Sequence, residues 1–163
     1  MIHIKHGYAF KGEYFSDSGS FVVLTPGNFN DDGGFKDKGE KEKRYVGEVP
    51  KDFILKRGDL LMAMTEQAEG LLGSSAIVPS NDLYLHNQRL GLVTELDSSR
   101  VDRKFLYYLF NTRHVRQQIR GSASGTKVRN AIIVADKTPT TSRIGWLDHR
   151  LLPSAPNSET LVQ

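Results

Sequence analysis

Apolar positions in the first hundred residues come in short clusters, not in long periodic runs. Phe21-Val22-Val23-Leu24-Thr25 is β-prone and stops at the turn pair Pro26-Gly27. Ile54-Leu55 leads through Lys56-Arg57-Gly58-Asp59 into Leu60-Leu61-Met62-Ala63-Met64, a strand–turn–strand pattern. Ser75-Ala76-Ile77-Val78 and Gly91-Leu92-Val93-Thr94 predict two more short strands. Helical periodicity occurs once, over 103–120. Asp102 suits its N-cap and Gly121 its stop. Phe105, Leu106, Tyr108, Leu109, Val115 and Ile119 form a core-facing stripe near the 3.6 period. Arg103, Lys104, Asn111, Arg113, Arg116, Gln117 and Arg120 fall on the other face. The pattern predicts an α+β fold: a curved, mostly antiparallel β-sheet lobe with long loops, closed by one C-terminal amphipathic helix.

Between the strands, residues 28–45 are rich in Gly, Asn and charges of both signs. The stretch is too polar to bury and reads as an exposed loop, either functional or disordered. After Asn130, Pro139, Pro153 and Pro156 sit among scattered Ser and Thr without sustained periodicity. Ile132-Ile133-Val134 can form one strand. The expected division is a domain over 1–129 and a divergent, loosely ordered tail over 130–163.

Composition narrows the class. The chain has 163 residues, 38% hydrophobic and 25% charged, which suits one globular domain. It has no cysteine, so disulfides and thiolate metal sites are excluded. The start, Met1-Ile2-His3-Ile4-Lys5-His6, lacks an apolar signal stretch, and no segment has the apolar length of a membrane span. A cytoplasmic location without membrane contact is the expectation. Charge is unevenly spread. Residues 1–99 carry 11 Lys/Arg and 15 Asp/Glu; residues 100–129 carry 8 Lys/Arg and one acid, Asp102. A local field of that sign attracts phosphate, although a solvated helix face has the same composition.

Motifs of catalysis are incomplete. Gly121-Ser122-Ala123-Ser124-Gly125-Thr126-Lys127 resembles a phosphate-binding loop, but the order is Gly-Thr-Lys and the segment follows a helix. Its free N–H groups and Lys127 still suit a DNA phosphate. Ser124 and Lys127 have Ser-x-x-Lys spacing without the companion motifs of acyl transfer. His3, His6, His86, His114 and His149 have no neighbouring acids that complete a metal site. No catalytic residue, no metal and no cofactor are assigned to the chain.

Four segments, taken in order, resemble the specificity (S) subunits of type I restriction–modification enzymes. Gly7-Tyr8-Ala9-Phe10-Lys11 with Tyr14-Phe15 is similar to their Gly-x-Ala-Phe opening. Lys56-Arg57-Gly58-Asp59-Leu60-Leu61 resembles their inter-strand turn, and His86-Asn87-Gln88-Arg89-Leu90 their Asn-Gln-Arg segment. Phe105-Leu106-Tyr107-Tyr108-Leu109 through Ile119, then Gly125-Thr126-Lys127, resembles their closing helix and Gly-Thr element. The resemblance covers about residues 7–129. It implies a non-catalytic target-recognition domain that reads one half of a split double-stranded DNA target. It also implies partners: modification (methyltransferase) subunits with S-adenosylmethionine and, through them, a restriction subunit with ATP and Mg. A homodimer is a further candidate assembly. Only six residues precede the Gly-x-Ala-Phe segment, and residues 130–163 lack the family's Pro-rich strand and spacer helix. A partial or truncated copy is therefore expected, with docking to the modification subunits in question.

Base reading needs side chains at base edges, while phosphate contacts fix position. The candidates for base edges are Asn28, Asn30, Lys36, Lys38, Arg44, Thr65, Gln67, Gln88 and Arg89. A structural role for Asn87-Gln88-Arg89 stands beside the reading role. The candidates for phosphates are Lys41, Lys43, Arg113, Arg116, Arg120, Thr126 and Lys127. Two rival classes stay open: a protein-interaction module or regulator without DNA specificity of its own, and a Ser124/Lys127 hydrolase.

Overall fold

The computed structural model describes residues 3–65, 70–94 and 101–121, together with the backbone of 141–143. These residues form nine strands and two helices. The strands are β1 (His3–His6), β2 (Phe15–Ser16), β3 (Phe21–Val23), β4 (Arg44–Tyr45), β5 (Leu60–Ala63), β6 (Ser75–Ile77), β7 (Tyr84–Leu85), β8 (Leu90–Thr94) and β9 (Thr141–Arg143). The helices are α1 (Arg103–Phe110) and α2 (Arg113–Gly121), between β8 and β9 in sequence. The α+β class and the mostly antiparallel pairing are as expected. The strands make two sheets, however, ordered β6-β5-β8-β1-β9 and β2-β4-β3-β7. All pairs are antiparallel except β3 with β7.

Alternation of side chains across β5 explains the layering. Leu60 and Met62 face a core shared with Ile4, Val93, Leu106, Phe110, Val115 and Ile119. Leu61 and Ala63 face a second core with Val22, Leu24, Phe29, Leu55 and Tyr84. All four are buried, so β5 is covered on both faces and reads as a continuous apolar run. Val23 points the opposite way from Val22 and Leu24, into a third cluster with Phe10, Tyr45 and Leu85. The result is helices on one face of the five-stranded sheet and the four-stranded sheet on the other.

The single helix expected over 103–120 is two helices, for reasons visible in the residues. Asp102 caps α1, accepting from Lys104 N–H at 2.6 Å and Phe105 N–H at 3.2 Å. Asn111 then leaves the helical pattern to pair with the edge strand β6. Its Oδ1 accepts from Ser75 N–H at 3.0 Å, and its Nδ2 donates to Ser75 O at 3.2 Å and Tyr107 O at 2.9 Å. Thr112 restarts the helix through its hydroxyl, which accepts from Val115 N–H at 3.4 Å. The buried positions record the break: Leu106 and Phe110 are four apart, as are Val115 and Ile119, but Phe110 and Val115 are five apart. Two members of the expected core stripe are corrected as well. Phe105 is 48% exposed and Tyr108 68%, because Phe110 fills the place in the core instead.

Candidate nucleic-acid interface

Parallel pairing of β3 and β7 sets the geometry of the candidate site. Val22 pairs with Tyr84 and Val23 with Leu85, so the segments that follow leave the same edge of the sheet. After β3 comes the long connection 24–43; after β7 comes the turn 86–89. The long connection also returns at that edge, because β4 runs antiparallel to β3 and Val23 N–H donates to Lys43 O at 2.7 Å. Sequence order alone could not place these segments together.

The long connection is tied down at two points. At its base, Asn28 is 0% exposed. Its Oδ1 accepts from Thr25 N–H at 3.0 Å and Thr25 Oγ1 at 3.1 Å. Its Nδ2 donates to Glu42 Oε1 at 2.9 Å and Oε2 at 2.8 Å. Every donor and acceptor site of that carboxamide is used within the fold, so Asn28 is a structural residue and not a base reader here. Glu42 also accepts from Lys38 N–H at 2.9 Å and pairs with Lys38 Nζ at 3.9 Å. Burial lowers the Lys38 ammonium below its ordinary value; Glu42 pulls it back up, and Lys43 and Lys36 lower it further. At its tip, the connection folds into a turn that docks on β6. Asn30 N–H donates to Gly34 O at 3.1 Å, Ser74 Oγ to Asn30 O at 2.5 Å, and Gly34 N–H to Ser75 O at 2.9 Å. Gly33 has φ +99°, and a Cβ there would lie 2.3 Å from the Asn111 side chain. Only glycine fits that contact. Asn30 itself is half-buried; its backbone holds the turn while its carboxamide makes no side-chain hydrogen bond among the described residues.

Beyond these anchors the cations differ in freedom. Lys36, Lys41 and Lys43 are exposed, whereas Arg44 is half-buried and donates Nη1 to Gly19 O at 3.1 Å. Lys43 Nζ sits 5.8 Å from the centre of the Phe15 ring. Lys41, Lys43 and Arg44 line a groove of about 590 Å³ with Phe15, Ser16 and three acids, Asp17, Glu40 and Glu42. A neighbouring groove around Tyr84 shares Asp17, Glu40, Glu42 and Arg44 with the first and adds Asp37. Burial, then Asp37 and Glu42, raise the Tyr84 hydroxyl above its ordinary range. Cations and acids thus alternate along this surface, and only the exposed ammonium groups of Lys41 and Lys43 attract a phosphate.

The turn 86–89 joins two of the motif segments. Tyr8 N–H donates to His86 O at 2.8 Å and Gln88 N–H to Tyr8 O at 3.0 Å, in a parallel bridge of Tyr8 with Asn87. A Cβ on Gly7 would lie 2.1 Å from Asn87 O, which is why glycine opens that segment. Asn87 is committed to the turn: its Oδ1 accepts from Arg89 N–H at 3.0 Å. Gln88 and Arg89 are exposed. Met64 N–H donates to Arg89 O at 2.9 Å, which brings the end of β5 alongside the turn. Thr65 follows directly, half-buried, its hydroxyl buried without a hydrogen-bond partner among the described residues.

On α2 the expected phosphate face divides. Arg113 is exposed. Arg116 is 5% exposed, its Nε donating to Leu72 O at 2.9 Å and its Nη2 to Gly70 O. Arg120 is half-buried and donates Nη2 to Gly70 O at 3.2 Å. Arg116 sits between Val115 and Ile119 in the buried arc, so it braces the 70–72 segment and is corrected from phosphate contact to structural support. Gln67, Thr126 and Lys127 lie outside the described residues. The Ser124/Lys127 pair and residues 132–134 lie outside them too. Among the described residues no group of three or more His, Asp or Glu could hold a metal ion, and no helix is long and apolar enough to cross a membrane.

Two packed sheets, helices on one side and connections gathered at one sheet edge define an α+β scaffold. No family model matches the sequence, and neither does any curated protein. Solved structures do share the fold. The type I restriction–modification system S subunit from M. genitalium matches with a TM-score of 0.54 and 20% identity, over 80% of this chain and 28% of that one. A chain from a structure of complex assembly and conformational transition in the type I R-M system matches with 0.52 and 16%, over 80% and 28%. The HsdS subunit from Thermoanaerobacter tengcongensis matches with 0.50 and 14%, over 87% and 30%. The chain has the fold of type I restriction–modification S subunits and spans about three tenths of their length. The resemblance read from four sequence segments is thus met at the level of fold.

Proposed function

We propose that this chain recognises double-stranded DNA by sequence, reading one half of a bipartite target as a specificity subunit, or part of one, in a type I restriction–modification system. The observation that carries this reading is the gathering of connection 24–43 and turn 86–89 at one sheet edge, on a fold shared with S subunits. In this reading Gln88 and Arg89 meet base edges from the exposed turn; Asn30, Lys36, Lys38, Arg44, Thr65 and Gln67 complete the candidate set. Lys41, Lys43 and Arg113 meet phosphates, with Arg120, Thr126 and Lys127 beside them. The chain catalyses nothing. Methyl transfer with S-adenosylmethionine belongs to modification subunits, and ATP- and Mg-dependent cleavage to a restriction subunit.

The test is selection from a random duplex library with the domain grafted into a complete specificity subunit and assembled with its modification subunits. One enriched half-site that follows the graft supports the reading. Enrichment that ignores the graft, or survives Arg89→Ala with Gln88→Ala, overturns it. A second reading, a protein-interaction module or regulator, is favoured by the exposure of Phe105 and Tyr108 on α1. It requires binding to a modification subunit that Phe105→Ser with Tyr108→Ser abolishes while the graft selects no DNA.

A further inference from the structure

We propose that His86 is the positioning residue of the base-reading turn: its neutral imidazole spans residues 86–90 and fixes the direction in which Gln88 and Arg89 leave the sheet. This deepens the DNA-recognition reading and rests on it. The side chain is 0% exposed, whereas histidine is on the whole only intermediate in burial. Its Nε2 lies 2.9 Å from Leu90 O, and a carbonyl can only accept, so Nε2 carries the proton. Nδ1 then keeps a lone pair, buried and without a hydrogen-bond partner among the described residues. That tautomer closes the turn from inside. From outside, Leu90 N–H donates to Asn87 O at 2.9 Å and His86 N–H to Phe53 O at 2.9 Å. The exposed residues Gln88 and Arg89 sit between two ends that one imidazole holds together.

Burial holds the ring neutral against the Leu90 carbonyl, which alone among its neighbours favours the proton. Phe53 lies 6.3 Å away, centroid to centroid, and Lys5 Nζ stands 4.7 Å from the Phe53 ring while donating to Asp52 O at 2.9 Å. Lys5 and His6 of β1 both oppose a positive charge on His86. No carboxylate is among the groups that shift it; the Asp52 contact to Lys5 is through its backbone. A cationic imidazole would lose the arrangement, since Nδ1–H would need an acceptor that the pocket does not offer.

Two variants separate positioning from mere packing. Gln in place of His carries a donor near the Nε2 position and cannot titrate; Leu fills the space without a donor. His86→Leu should speed amide exchange at Gln88, Arg89 and Leu90 by about tenfold, the loss of one buried hydrogen bond. In the assembled graft it should flatten the half-site preference selected from the random duplex library. His86→Gln should restore both. Nitrogen shifts of the ring should report a protonated Nε2 and a bare Nδ1. If Arg89→Ala alters the preference but His86→Leu does not, the positioning role is wrong while DNA reading stands. If Arg89→Ala and Gln88→Ala change nothing, the reading itself has failed. Should His86→Leu not fold, His86→Gln decides: an altered preference with intact turn exchange overturns the proposal.

Discussion

Asn28 and Glu42 lie fourteen residues apart in sequence, and the carboxamide of one donates to both carboxylate oxygens of the other, at 2.9 and 2.8 Å. This pair closes the base of the long connection. It converts a stretch that composition marks as loose into a frame from which Lys41 and Lys43 project. A buried carboxylate is stabilised only when its oxygens are bonded, and here Asn28 supplies two of those bonds and Lys38 N–H a third.

Asn28→Ala should therefore act on stability before DNA. It removes bonds to a charged group, an effect of about 1.5–3 kcal/mol. Urea unfolding should show a lowered midpoint with the slope unchanged. Amide exchange should rise across 36–42, while base preference in a selected library stays fixed. A selective loss at one base position, with stability unaltered, would return Asn28 to the role of a reader.

What the sequence made legible follows from length and burial. The apolar runs that became β3, β5, β6 and β8 were visible because each buries several adjacent side chains. β1 was not: among His3-Ile4-Lys5-His6 only Ile4 is buried, although the strand pairs on both sides. β4 and β7 have two residues each, too few for any period. For the site, Gln88 and Arg89 emerged from a motif and are exposed. Asn28 and Arg116 misled because a polar residue on a loop or helix looks solvated until its partners, Glu42 and the carbonyls of Gly70 and Leu72, are brought to it across long separations.

Arg116 and Arg113 should now separate cleanly. Arg116→Ala strips a buried guanidinium from two carbonyls and should cost roughly 2–3 kcal/mol of stability. Arg113→Ala, on an exposed position, should stay within about 0.5 kcal/mol. Thermal and urea unfolding of both variants measure this. Equal, small effects would mean that Arg116 does not brace the 70–72 segment.

Stability should also fall on mild acidification. The His86 imidazole is held down to about 4, chiefly by burial, against an ordinary value of 6.5. Its folded value is depressed, so the unfolded chain binds the proton first. The contribution is complete above about pH 6.5 and is lost as pH drops toward 4, with a slope of up to about 1.4 kcal/mol per pH unit. Urea titrations from pH 8 to 4.5 should show this slope in the native chain. His86→Gln should remove it, whatever other histidines contribute to both. An identical pH profile for the two would mean that folding does not depress the His86 imidazole.

The remaining prediction divides affinity from specificity at the sheet edge. Lys41 and Lys43 border one groove, and each phosphate they neutralise should add about 0.9 to the salt slope of log affinity. Lys41→Ala and Lys43→Ala should each weaken all duplex sequences alike and flatten that slope by roughly one unit. Lys43 should show the smaller change, because its ammonium already rests near the Phe15 ring. Arg89 should behave in the opposite way. Held by Met64 on one side and Asn87 on the other, it presents a guanidinium from a fixed backbone. Arg89→Ala should cost about 1–3 kcal/mol on the preferred half-site, little on random DNA, and leave the salt slope nearly unchanged. In the proposed reading this chain meets half of a bipartite site and so only part of the contacts, which places the titrations in the grafted, assembled subunit over several salt concentrations. If Arg89→Ala lowers affinity for every sequence while the lysine variants shift base preference, the turn carries the phosphates and the connection reads the bases. If none of the three moves either quantity, the DNA does not meet this edge.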